Sequence, residues 1–168
     1  MIPLPASDIL LPLQNRQPFM RALIQRVKKA AVHIGGEKRA EIGPGMLVLL
    51  GVSREDAAAD EEYLCRKIAN LRIFDDEQGV MNLNIAAANG ECLVVSQFTL
   101  YADTRKGNRP SYINAAPPET ARPVYEDFVI RLEKELQRPV RTGVFGANMQ
   151  VELCNDGPVT IMIDSRQR

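Results

Sequence analysis

The run Met46-Leu47-Val48-Leu49-Leu50-Gly51-Val52, entered through the turn Gly43-Pro44-Gly45, constrains the fold of this chain more than any other segment. It offers no polar phase to a two-residue alternation, so a strand built from it has no face to give to water. It predicts a strand buried on both sides. Ala22–Val27, Ala31–Ile34 (broken at Gly35-Gly36) and Cys92–Ser96, which follows the turn at Asn89-Gly90, read as further strands. Met149–Leu153 and Val159–Asp164 read as two closing strands. Two segments instead carry helical spacing. Over Ala57–Asn70, Leu64, Ile68 and Leu71 recur at i, i+4, i+7, and Asp60-Glu61-Glu62 occupy the early turns, where a helix dipole favours negative charge. Val124, Phe128, Leu132 and Leu136 form a second stripe, with Asp127 four residues before Arg131. Pro123 fits only a first turn, which puts the start near Thr120 as N-cap, and Pro139 ends the element. The pattern is α+β with two main helices.

A chain of 168 residues predicts one domain, burying roughly 70% of the surface its unfolded form exposes. Residues 1–19 contain four prolines and Asp8, and lack the basic start and long apolar stretch of a signal peptide, so they read as a flexible extension before a domain spanning 20–168. Twenty-one basic residues balance 21 acidic ones. That excludes a nucleic-acid coat held by bulk positive charge and leaves room only for a local patch. Cys65, Cys92 and Cys154 are odd in number, lack C-x-x-C spacing and predict free thiols in a reducing cytoplasm. No apolar stretch approaches the roughly 18 residues that span a membrane.

The sole histidine, His33, lies in a strand-like run, so Ser-His-Asp, Cys-His and zinc hydrolase sites lack their parts. No Walker or Rossmann glycine pattern is present, and Asp75-Asp76-Glu77-Gln78-Gly79 lacks the ligand spacing of a calcium loop and reads as a solvated turn. What remains are two motifs at the ends of apolar runs. Ser96-Gln97-Phe98-Thr99-Leu100 follows Cys92-Leu93-Val94-Val95, with Asp103 shortly beyond, and Asn155-Asp156-Gly157-Pro158-Val159-Thr160 follows Met149–Leu153. Alone, the first is an ordinary polar end to a strand and the second an ordinary tight turn. Their co-occurrence is what carries weight.

Together with Leu23-Ile24-Gln25-Arg26-Val27, the Met46–Val52 run, Arg72–Asp76, Met81-Asn82-Leu83-Asn84, Ala102-Asp103-Thr104, Arg109-Pro110-Ser111 and Met149-Gln150-Val151, the two motifs make the chain resemble the D-aminoacyl-tRNA deacylases from Met20 to Arg166. The chain departs from the family pattern at Val80, where lysine is common, and at Gly146, where alanine is expected. The resemblance implies a curved, barrel-like, mainly antiparallel sheet and a homodimer. Its substrate would be aminoacyl-tRNA, met at the 3′-terminal adenosine and the D-amino acid, with no cofactor, metal or membrane involved. Ser96, Gln97, Phe98 and Thr99 would line the pocket. Gly157-Pro158, joined by a cis peptide bond, would present carbonyl oxygens to the partner's site as a chirality filter, with Arg26 packed on the motif. Ester hydrolysis would be RNA-assisted through the ribose 2′-hydroxyl, with Thr99 as nucleophile the rival mechanism, and glycyl-tRNA would be hydrolysed as well. Two other readings stay open. One is a non-catalytic nucleic-acid-binding dimer using Lys28, Lys29, Arg105, Lys106 and Arg109, and the other is a broader ester or D-peptide hydrolase using Thr99.

Overall fold

The computed structural model describes residues 19–167. The predicted extension 1–19 falls outside them except at Phe19, whose buried ring lies under the Arg166 guanidinium. The two runs expected around Lys28-Lys29 form one long strand, β1 (Arg21–Ile34). It turns into β2 (Glu37–Ile42) through Gly35 and Gly36, at φ +61° and +85°. A two-residue hairpin loop of this kind needs positive φ at both positions, which glycine adopts without a Cβ penalty.

β3 (Gly45–Gly51) leads through α1 (Ala58–Ala69) and the small hairpin β4 (Phe74–Asp75) and β5 (Met81–Leu83) to β6 (Glu91–Ser96). α2 (Pro118–Leu136), β7 (Val140–Thr142) and β8 (Gln150–Asp164) complete the described chain. The main sheet runs β2-β1-β3-β6-β7, with β8 along β1. β1 pairs antiparallel with β2, β3 and β8, while β3–β6 and β6–β7 are parallel, their crossovers containing α1 and α2. The sheet is therefore mixed, curved and barrel-like, with the predicted antiparallel character at β1 and a parallel centre.

The two-sided burial predicted for Met46–Val52 is found. Met46, Val48 and Leu50, with Cys92 and Val94 of β6, pack beneath the helices against Leu64, Ile68, Phe128 and Leu132. Leu47, with Leu93 and Val95, faces the opposite way onto Val27, Val32 and Ile42. Each fully buried large side chain of this kind stabilises the fold by about 1.5–3 kcal/mol.

Two boundary expectations are corrected. α2 begins at Pro118, not near Thr120, because proline is pre-set for the first helical position, and Thr120 and Ala121 already donate to the Pro117 carbonyl at 3.0 and 2.9 Å. Pro123 thus stands inside the helix. The expected break at Asn155–Pro158 is absent, since β8 runs straight through it with shifts of register against β1 around Val27. Proline is tolerated there because β8 pairs only with β1, leaving its other edge without a strand partner among the described residues.

Candidate active site

β6 lies between two parallel neighbours, so the carboxyl ends of three strands open onto one side, the usual place for a crevice in such sheets. As β6 ends, the Gln97 N–H donates to the Leu50 carbonyl at 2.7 Å, and the chain tightens into a short 3₁₀ turn, Phe98–Tyr101. Tyr101 anchors that turn from within. Its buried hydroxyl lies 2.8 Å from the Phe19 carbonyl and 2.9 Å from that of Gly51.

Above this end lies a cavity of about 570 Å³. Ser96, Gln97 and Phe98 line it, joined by Leu50 and Val52 from the end of β3 and by the first turn of α2. Tyr112, Phe145 and Gly146 complete a largely apolar wall. The Phe98 and Tyr112 rings meet edge to face at 5.0 Å, and both are exposed. Such a volume lies within the range of small-ligand sites. Among the described residues, its two charged lining residues are Arg54 and Arg122.

Thr99 stands apart from the lining. Its hydroxyl accepts a hydrogen bond from the Gln97 side-chain amide, which fixes that amide next to the cavity. No carboxylate, histidine or lysine bonds the Thr99 hydroxyl among the described residues. His33 sits in β1 opposite Lys38 and Gln150 and does not line the cavity. Asp103 binds Arg105 at 2.6 Å, which holds its carboxyl at about 2 and leaves it ionised, a poor base. Burial pushes the Cys65 and Cys92 thiols up to about 12, away from the thiolate a nucleophile needs.

The second motif lies elsewhere on the molecule. Gly157 and Pro158, joined by a cis peptide bond, are exposed on β8, and neither they nor Arg26 line the cavity of their own chain. Arg26, only 7% exposed, ties the motif down. Its Nε donates to the Asp156 carbonyl at 3.1 Å, and its Nη1 donates to the Ile73 carbonyl at 2.7 Å and to Asp75 Oδ1 at 3.1 Å. Gly157 adopts φ +124°, and a Cβ there would lie 2.9 Å from Val159 Cγ2 and 3.3 Å from Arg26 Nη2. The structure therefore brings Ser96, Gln97 and Phe98 together at a cavity and places Arg26 with Gly157-Pro158 in a separate cluster.

The two departures from the family pattern also differ in place. Val80 is exposed in the β4–β5 turn, whereas Gly146 is part of the cavity wall at φ +78°. Tyr112, Arg122 and Phe145 were not legible from the sequence, because they come from three segments with no shared spacing. Ile73 and Asp75, which fix Arg26, were hidden for the same reason.

The model of the D-Tyr-tRNA(Tyr) deacylase family matches residues 23–164. A protein of Cytophaga hutchinsonii named D-aminoacyl-tRNA deacylase is 56% identical over 149 residues, covering 89% of this chain and 99% of the relative. Its namesake in Porphyromonas gingivalis is 57% identical over the same length and coverage. Among solved structures, one titled c-Myc DNA Unwinding Element Binding Protein superposes with a TM-score of 0.81 at 44% identity, covering 85% of this chain and 97% of that one. A probable eukaryotic D-amino acid tRNA deacylase shares the fold at a TM-score of 0.74 and 15% identity, covering 86% and 98%. With the strand-end motif at a cavity, the Gly157-Pro158 strand held by Arg26, and a match running from β1 to the end of β8, the chain belongs to the D-Tyr-tRNA(Tyr) deacylase family.

Proposed function

We propose that the protein hydrolyses the ester bond of D-aminoacyl-tRNAs, releasing free tRNA and the D-amino acid, in the cytoplasm. The observation that carries this reading is the cavity at the end of β6, lined by Ser96, Gln97 and Phe98, in a chain that spans 99% of relatives named for that activity. The terminal adenosine and its aminoacyl group occupy the cavity, with Phe98 and Tyr112 offering ring faces at its mouth.

Gly157 and Pro158 of the partner subunit complete the site in a homodimer. Two features support that arrangement. These residues are exposed on a strand whose outer edge is unpaired among the described residues, and Leu153 and Met162 on the same strand are exposed apolar side chains. When the ester carbonyl and α-amino group are held, exchanging L for D swaps the positions of the side chain and the α-hydrogen. Main-chain oxygens facing the L side-chain position then reject every L residue regardless of its identity. Glycine has no side chain to reject, so glycyl-tRNA is hydrolysed as well.

The ester is already reactive and carries a neighbouring ribose 2′-hydroxyl, so orientation and main-chain donors to the developing oxyanion suffice without a protein base. The hydrogen bond from Gln97 to Thr99, and the lack of a titratable partner on that hydroxyl among the described residues, support a positioning role for Thr99. The domain that does this work spans 20–168, so a chain starting at Met20 should dimerise and deacylate, with the Gly51 carbonyl still accepting from Tyr101 once the buried Phe19 is gone.

Subunit mixing tests the composite site. A Gln97→Ala protein and a Gly157→Ala protein, each weak alone, should regain part of the wild-type deacylation when exchanged into mixed dimers, because one of the two sites is then intact. No recovery, with mixed dimers verified, contradicts the cross-subunit site. The solved relative titled as a DNA-element binding protein favours a second reading, stoichiometric nucleic-acid binding without turnover. Multiple turnovers of charged tRNA exclude it.

A further inference from the structure

We propose that Arg54 and Arg122 bind the phosphodiester backbone of the single-stranded RNA 3′ end that leads into the cavity, a proposal that rests on the cavity being the site of the ester-bearing nucleoside. Among the described residues these arginines are the two charged residues of the cavity wall and no carboxylate lines it, although the chain holds as many acidic residues as basic ones. Arg21, Arg26, Arg105 and Arg131 are matched by carboxylates, while other arginines besides these two, such as Arg39 and Arg141, also lack one among the described residues, so it is the place of Arg54 and Arg122 on the cavity wall that sets them apart. Arg54 and Arg122 enter no ion pair among the described residues.

Both are exposed yet held in place. The Arg122 guanidinium stacks over the Phe145 ring, 5.4 Å from its centroid, and the Arg54 Nε donates to the Ile113 carbonyl at 3.0 Å. A planar cation fixed by its face or by one N–H keeps its remaining donors for a bidentate acceptor, and phosphate matches that fork. A nucleoside at the end of a polynucleotide cannot enter an apolar cavity without bringing its backbone phosphates to the mouth. The two arginines stand on separate segments of that mouth, one after β3 and one in the first turns of α2. The exposed Phe98 and Tyr112 rings add the stacking surfaces that single strands use.

The test compares Arg54→Gln, Arg122→Gln, the double variant and Arg122→Lys on two substrates, D-tyrosyl-tRNA and the D-tyrosyl ester of adenosine, which has no phosphate. Each glutamine change should lower kcat/KM on the tRNA about five- to tenfold more than on the adenosine ester, mainly through KM. It should also flatten the salt dependence of tRNA turnover by about 0.7 in the log–log slope, and lysine should keep most of that slope. Equal losses on both substrates, or an unchanged slope, overturn the proposal. Binding of a short single-stranded RNA ending in adenosine, followed by fluorescence anisotropy, reads the same slope without turnover. If the wild type hydrolyses neither ester but this slope still falls in the variants, the proposed function fails while the phosphate site stands. If the slope does not fall, the site fails.

Discussion

Replacing Arg26 should detach the Gly157-Pro158 segment from the body of the domain at a cost that can be worked bond by bond. Its guanidinium joins β1 to the Ile73 carbonyl in the link before β4, and to the Asp156 carbonyl in β8. The 2.7 Å bond to Ile73 is buried and charge-assisted, worth about 1.5–3 kcal/mol. The 3.1 Å bond to Asp156 is half-buried and contributes about 1 kcal/mol. The pair with Asp75, whose side chain is 48% exposed, adds less than about 1 kcal/mol. Arg26→Met keeps much of the aliphatic packing, so its loss should be the sum of these, about 2.5–5 kcal/mol. Arg26→Lys keeps the charge but not the fork, and should lose about 1.5–3 kcal/mol. Both fall within the margin of an ordinary domain, so the variants should fold and can be assayed. Urea unfolding measures the stability loss, and D-tyrosyl-tRNA deacylation measures the displacement of Gly157, with kcat falling at least about tenfold. If Arg26→Met unfolds within about 0.5 kcal/mol of the wild type, or deacylates normally despite the predicted destabilisation, the anchoring role is wrong.

Thr99→Ala should keep kcat within about tenfold of the wild type, with no acyl-enzyme trapped, since removing a true nucleophile costs on the order of 10⁴-fold or more. Gly157→Ala forces a Cβ against Val159 and Arg26 at φ +124°, so it should cost about 1–3 kcal/mol of stability and most of the D-substrate turnover. Burial, then Asp127, raises the Glu61 carboxyl from 4.5 to about 7, so the folded protein holds a proton that the unfolded chain releases. Stability should therefore fall as pH rises through that window, and Glu61→Gln should flatten the fall and raise the melting temperature by several degrees at pH 8. A wild-type melting profile that rises from pH 5 to pH 7 contradicts the assignment.

Much of the fold was legible because burial wrote itself into unbroken runs. Met46–Val52 declared a strand with no solvent face, and the stripes through Leu64 and Phe128 declared the two helices. The parallel centre was not legible. β7 is three residues long, and a strand's partner depends on the crossover helices that carry the chain back. Pro123 misled by chemistry that is sound in general, since Pro118 takes the first-turn position one turn earlier. The strand through Gly157-Pro158 was hidden because proline and glycine ordinarily mark turns, and only an unpaired edge lets them stay in register. At the site, Ser96, Gln97 and Phe98 were readable as a motif. Arg54, Tyr112, Arg122 and Phe145 meet them only in three dimensions.

Deacylation of D-tyrosyl-tRNA and L-tyrosyl-tRNA by the purified protein, on the same tRNA and at matched concentrations, tests the central claim most directly. Catalytic release of D-tyrosine is predicted to exceed that of L-tyrosine by a factor on the order of 10² or more, a difference of about 2.7 kcal/mol in transition-state binding. Equal rates on the two substrates, or no turnover of either, would contradict it.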